Sequence, residues 1–227
     1  MYQPKTPSDF LEYAIHILFA VVIGISFEIS SQIIIPIEEI YKNIASAGIL
    51  VLGYSIIISS WIGYYLSIKA HKHKGKLGYI RFALDIFTIY LFYYIINLTR
   101  IENKEYRDDV FLYLLPIIYA VYIVWDIVKY YEHKKKNQTR LEKTDRIHRI
   151  RITIDYFVWF VVLAFFYYII PQDHLDTRHP ELKEITFVIF SGFVIFKYRY
   201  AKFIDSTRIT TRKKILRKKR NDSSNKY

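Results

Sequence analysis

The sequence has no cysteine and a single methionine in 227 residues. Disulfides, thiolate metal sites and cysteine nucleophiles are therefore excluded. Glycine is scarce, with 7 residues, and no glycine-rich phosphate loop can be drawn. There is also no His-Glu-x-x-His motif and no nucleophile elbow, so no enzymatic activity, cofactor or metal is expected. Acidic side chains are in deficit: 21 Asp+Glu face 33 Lys+Arg, a formal charge of +12. What is abundant is apolar. Hydrophobic residues make up 52% of the chain and aromatic residues 18%, too much for a disordered polypeptide. A soluble globule intersperses these two properties. Here they are segregated into apolar and basic blocks.

A helix crossing the hydrocarbon of a bilayer needs about 20 mostly apolar residues. Ile44–Ile68 runs 25 residues without a formal charge. Five shorter uncharged cores, Tyr13–Phe27, Ile86–Thr99, Val110–Trp125, Tyr156–Gln172 and Ile185–Phe196, reach spanning length if one ionisable group near an end snorkels or pairs. Helices are predicted over 11–36, 44–69, 79–99, 109–131, 152–171 and 184–203. Stretches such as Val158–Ile170 have no polar face, which a water-soluble amphipathic helix requires. The expected fold is all-α: a polytopic transmembrane bundle of six spans over residues 1–203, followed by a basic tail over 204–227, partly disordered.

Charge placement gives an independent test. With six spans, segments 1–12, 69–81, 129–151 and 197–227 share one side and hold 27 of the 33 Lys+Arg; the segments of the other side hold 6, with 10 acids. Under the positive-inside rule, both termini are expected in the cytoplasm of a cell (inner) membrane protein. The tyrosines fall near the ends of the predicted spans, where amphipathic rings favour the interface.

Two segments look alike. Arg81-Phe-Ala-Leu-Asp85 precedes Phe92-Tyr-Tyr-Ile-Ile96, and Arg151-Ile-Thr-Ile-Asp155 precedes Phe166-Tyr-Tyr-Ile-Ile170. A repeated helix hairpin is one reading; shared composition of Phe/Tyr/Ile-rich spans is the other. Each Arg-x-x-x-Asp places both side chains on one helix face. Asp126, Lys129 and Lys197 fall at the matching depth, which predicts a charged layer near the cytoplasmic boundary. Such a layer either locks helices together as ion pairs or forms a charged vestibule.

Candidates for an ion pathway or proton site are Glu28, Gln32, His16 and Ser60. Glu28 falls about 24 Å along the first predicted helix, with Gln32 one turn on; the alternative is that this helix stops near Phe27. Ser46, Gly53, Ser60 and Ser67 recur every seven residues, a small-residue stripe that suits close helix packing or, less readily, a pore lining. His16 reads as a hydrogen-bonded structural histidine or a pH sensor, and Pro116 as a kink. His71 and His73 lie among lysines, which oppose metal binding. The Asp173–His179 loop carries carboxylates and imidazoles, as short polar loops often do. Arg212, Lys213, Lys214, Arg217 and Lys218 in the tail suit anionic lipid better than nucleic acid.

These features lead to the expectation of a homo-oligomeric, channel-like protein passing small ions, because a bundle of this size rarely encloses its own pore. The alternative is a non-transporting scaffold or accessory protein whose basic loops bind anionic lipid or a cytosolic protein partner. A proton-coupled transporter using Glu28 ranks third.

Overall fold

The computed structural model describes residues 6–34, 44–70, 73, 75–100, 104–133, 140–169 and 185–205. These residues form six helices and no strand: α1 (Pro7–Ile34), α2 (Ile44–Ala70), α3 (Gly75–Leu98), α4 (Lys104–Glu132), α5 (Arg140–Ile169) and α6 (residues 185–205). Helices are the economical answer for a chain dissolved in lipid. Every backbone N–H and C=O must be satisfied within the segment when no water is at hand.

Local chemistry sets several helix ends. α1 starts four residues earlier than hydropathy alone suggests, because Thr6 caps it. The Thr6 hydroxyl accepts from the Asp9 N–H at 3.2 Å, Pro7 occupies the first helical position where no N–H is needed, and Asp9 faces the positive end of the helix dipole. At the other end α1 continues through Glu28 to Ile34, so it does not stop near Phe27. α4 and α5 begin at Lys104 and Arg140, with polar turns that precede their apolar spans. The α2–α3 connection is short and ends at Gly75, whose φ of +57° is the left-handed conformation that favours glycine. α4 runs unbroken through Pro116, where one backbone bond to the preceding turn is lost.

Five of the helices are long and apolar enough to cross a membrane, with spans at Pro7–Ser31, Ser46–Ile68, Gly75–Leu98, Asp109–Glu132 and Ile147–Ile169. α6 carries Lys197, Arg199, Lys202 and Asp205 in its second half. Its rise of about 32 Å still matches a bilayer core, and Phe187, Val194, Ile195 and Tyr198 bury it in the bundle. The chain is a membrane-embedded helical bundle.

α3 packs against α1, α2 and α4, and α4 packs against α5. The core is apolar, with Phe92, Ile95, Phe111, Leu115 and Phe160 almost fully buried. The outside is apolar too: Val158, Trp159, Phe165 and Phe166 on α5, and Ile189, Phe193 and Phe196 on α6, are exposed. In water such a surface would be a large liability. In lipid it is the solvated face.

α6 wedges against α2 at small residues. A Cβ on Gly48 would fall 2.7 Å from the Val188 side chain, and one on Gly192 would fall 3.0 Å from Leu52. Gly48→Leu is expected to destabilise the bundle by about 1–3 kcal/mol through overpacking. Gly24→Ala on α1, where nothing lies within 4 Å, should be neutral or slightly stabilising. Thermal unfolding of the two variants in detergent checks this; equal melting temperatures would remove the close α2–α6 approach from the account.

Candidate functional site

Toward the end of the bundle where α2, α4 and α6 finish and α3 and α5 start, ionisable side chains leave the surface and enter the interior. They surround a cavity of about 120 Å³, several times the space one water needs. α2 contributes Ser60 and Ser67, α3 Asp85, α4 Tyr122 and Asp126, α5 Arg149, and α6 Arg199 and Lys202.

The groups are fixed by bonds between helices. Asp126 Oδ2 accepts from Lys202 Nζ at 2.6 Å and from the Thr153 hydroxyl at 2.6 Å. Lys202 Nζ also donates to the Arg149 carbonyl at 3.0 Å. The Asp126–Lys202 pair therefore ties α4, α5 and α6 together. Arg199 donates to the Tyr122 hydroxyl at 2.9 Å and to Ser60 Oγ. Its guanidinium carbon lies 5.4 Å from the ring centres of Tyr122 and Tyr198, within cation–π range. Lys129 donates to Ser67 Oγ and sits 4.9 Å from the Trp125 ring centre. Trp125 Nε1 in turn donates to Asp85 Oδ1 at 2.7 Å.

A second network closes the end of the bundle. Arg81 is fully buried and pairs with Glu132 at 2.6 Å, both side chains being sealed from the surface. Arg81 Nε donates to His73 Nδ1 at 3.0 Å, and Arg81 Nη1 lies 3.1 Å from His133 Nε2. The α2–α3 connection is thus pinned to the last turn of α4.

His73 lies between spans. Burial, then the nearby Arg81 and Lys129 charges, hold it down at about 3, against about 6.5 for a free histidine. Between these values the unfolded chain binds a proton that the folded chain refuses. Stability is therefore full above about pH 6.5 and falls as pH drops toward 3. The melting temperature should decline between pH 7 and 5, and less steeply in His73→Gln. Parallel pH profiles for the two proteins would be the contrary result.

Of the charges expected in one layer, Arg81, Asp85, Asp126 and Lys129 are buried, whereas Arg151, Asp155 and Lys197 are exposed. The two Arg-x-x-x-Asp segments thus occupy opposite environments, and sequence likeness does not extend to their packing. The cause is helix depth in the bundle: α3 is central, while α5 packs chiefly on α4 and leaves most of its span uncovered. Lys197 instead rests over the Phe193 ring at 5.3 Å.

The small-residue stripe of α2 is taken up by contacts. Ser46 accepts from Arg107 Nη1 at 2.6 Å, Ser60 from Arg199 and Ser67 from Lys129, while Gly53 faces Ile95 and Ile96. His16 Nδ1 accepts from Trp61 Nε1 at 2.8 Å, with Glu12 at 4.0 Å from its other nitrogen. Glu28 is exposed on α1, and Gln32 lies in its last turn. The tail residues Arg212, Lys213, Lys214, Arg217 and Lys218, the loop 173–179 and His71 lie outside the described residues.

The tyrosines divide. Tyr65, Tyr79, Tyr131 and Tyr200 are exposed, as an interfacial belt requires, but Tyr64 and Tyr198 are buried. Tyr198 packs on Tyr119 at 4.9 Å and Tyr156 at 5.5 Å.

Sequence reading alone missed Glu132, Tyr122, Arg149, Thr153 and Lys202, and placed His73 only among lysines. A signal was present on α4, where Asp126, Lys129 and His133 share a face at spacings of three and four. No family model, curated protein or solved structure matches this chain.

Proposed function

We propose that this membrane protein is channel-like and handles small ions, with the polar cavity at its basic end as the binding step and assembly of several copies completing the pathway. The cavity carries the reading: five helices place ionisable or hydroxyl side chains around one space inside the bundle. Intramembrane charges are costly and generally functional. By the positive-inside rule the cavity faces the cytoplasm, with both termini on that side. Of the α2 stripe, Ser60 and Ser67 line the cavity, whereas Ser46 and Gly53 are taken up by packing contacts.

Flux in liposomes is the test. Wild-type protein should pass ions, and Ser60→Leu, which fills the cavity, should reduce the rate at least about tenfold while the fold survives. Glu28→Gln probes whether α1 contributes the opposite half of the path. A second reading, a non-transporting scaffold, draws on the basic segments 134–149 and 208–220. Absence of flux, together with partner capture that depends on those segments, would replace the channel reading with it.

A further inference from the structure

The cavity carries more positive charge than its carboxylates neutralise. Three cations line it, Arg149, Arg199 and Lys202, against Asp85 and Asp126. Asp126 is already engaged by Lys202 and Thr153, and Asp85 accepts from Trp125 through Oδ1. Lys129 adds a further cation behind Ser67. Among the described residues, no carboxylate lies within ion-pair reach of Arg199 or Lys129; hydroxyls and aromatic rings are what surround them. The Nε–H groups of both Arg149 and Arg199 are buried without an acceptor, while Asp85 Oδ2 is buried without a hydrogen-bond donor, 3.8 Å from His73 Nε2. Buried donors and buried charge without partners are normally eliminated from a fold. Two of them beside one cavity indicate that the missing acceptor is a ligand.

We propose that this cavity binds a phosphate-type oxyanion, either inorganic phosphate or the phosphate of an anionic lipid headgroup, held by Arg149, Arg199 and Lys202. A guanidinium presents its N–H groups as a planar fork that matches oxygen acceptors two at a time, which favours an oxyanion over a halide. The hydroxyl pair adds a donor. Ser60 and Tyr122 lie 2.8 Å apart and both accept from Arg199. One hydroxyl proton serves their mutual bond, so the other is free to point at the bound anion. The excess of positive charge disfavours a cation in the same place. The proposal rests on reading the cavity as a solute site, and it specifies the sign and chemistry of that solute.

The test is equilibrium binding of radiolabelled inorganic phosphate to the full chain in phosphatidylcholine nanodiscs. Saturable binding that excess chloride does not displace is expected. Arg199→Gln and Arg149→Gln should each weaken it about tenfold or more, Arg199→Lys should weaken it less, and Ile189→Ala on the lipid face should leave it unchanged. If Arg199→Gln does not fold, Arg149→Gln and Ser60→Leu carry the comparison. A second arm exchanges the protein into nanodiscs containing phosphatidylglycerol and measures the anionic lipid retained through delipidation. Retention that depends on both arginines, without binding of free phosphate, assigns the site to a headgroup. Absence of binding in both arms overturns the proposal, as does displacement by chloride or indifference to both arginine substitutions. Binding is read without flux, so a site that binds phosphate in a protein that conducts nothing keeps this inference and removes the channel. Conductance without oxyanion binding does the reverse.

Discussion

Glu132→Gln is expected to destabilise the bundle by about 3–5 kcal/mol, the cost of breaking a buried ion pair by neutralising one partner. Arg81 and Glu132 meet at 2.6 Å with both side chains sealed from the surface. The neutral amide preserves shape but exchanges one acceptor oxygen for a donor and removes the negative charge that faces the guanidinium. The loss should reach the α2–α3 connection as well, because Arg81 also holds His73. Unfolding in mixed detergent measures the effect. The double variant Arg81→Met with Glu132→Leu should recover most of the loss, since an apolar pair of similar volume often equals or exceeds a buried ion pair. A single substitution that changes stability by less than about 0.5 kcal/mol would mean that water reaches the pair.

Asp126→Asn should be nearly as severe, at about 3 kcal/mol. Asp126 is the carboxylate on which Lys202 and Thr153 converge at 2.6 Å, so its charge neutralises α6 from α4 while α5 contributes the hydroxyl. Thr153→Val removes the hydroxyl that donates to Asp126 and, at 3.2 Å, to the Arg149 carbonyl, and should lose about 1 kcal/mol. A double-mutant cycle between Asp126→Asn and Lys202→Met isolates the ion-pair term. A coupling energy near zero would show that α6 is held by its ring contacts, with Tyr198 as the anchor, instead of by charge.

Much of the architecture was legible because lipid imposes a coarse rule. Each span predicted at 44–69, 79–99 or 109–131 lies within or close to an observed helix, since a mostly apolar run of that length has one low-energy conformation in hydrocarbon. The ends were less legible. The start of α1 depends on Thr6 and Asp9, a cap that hydropathy does not register, and α5 begins twelve residues before its expected start because its polar first turns are helical outside the apolar span. The site was legible only in part. Asp126 and Lys129 stand out as charges within apolar runs, but Glu132 and Lys202 lie close to helix ends, where a charge ordinarily faces water. Their burial follows from what packs over them.

The amino-acid order by itself determined the solvent of this chain and its all-helical class. These follow from sums over many residues, and no single contact can reverse them. Tertiary structure alone decided which charges meet. Arg81 and Arg151 share a motif, yet one is buried against Glu132 and the other is exposed. The deciding term is pairwise, falls off within a few ångströms and depends on the rotation and depth of each helix against its neighbours, which no linear reading specifies.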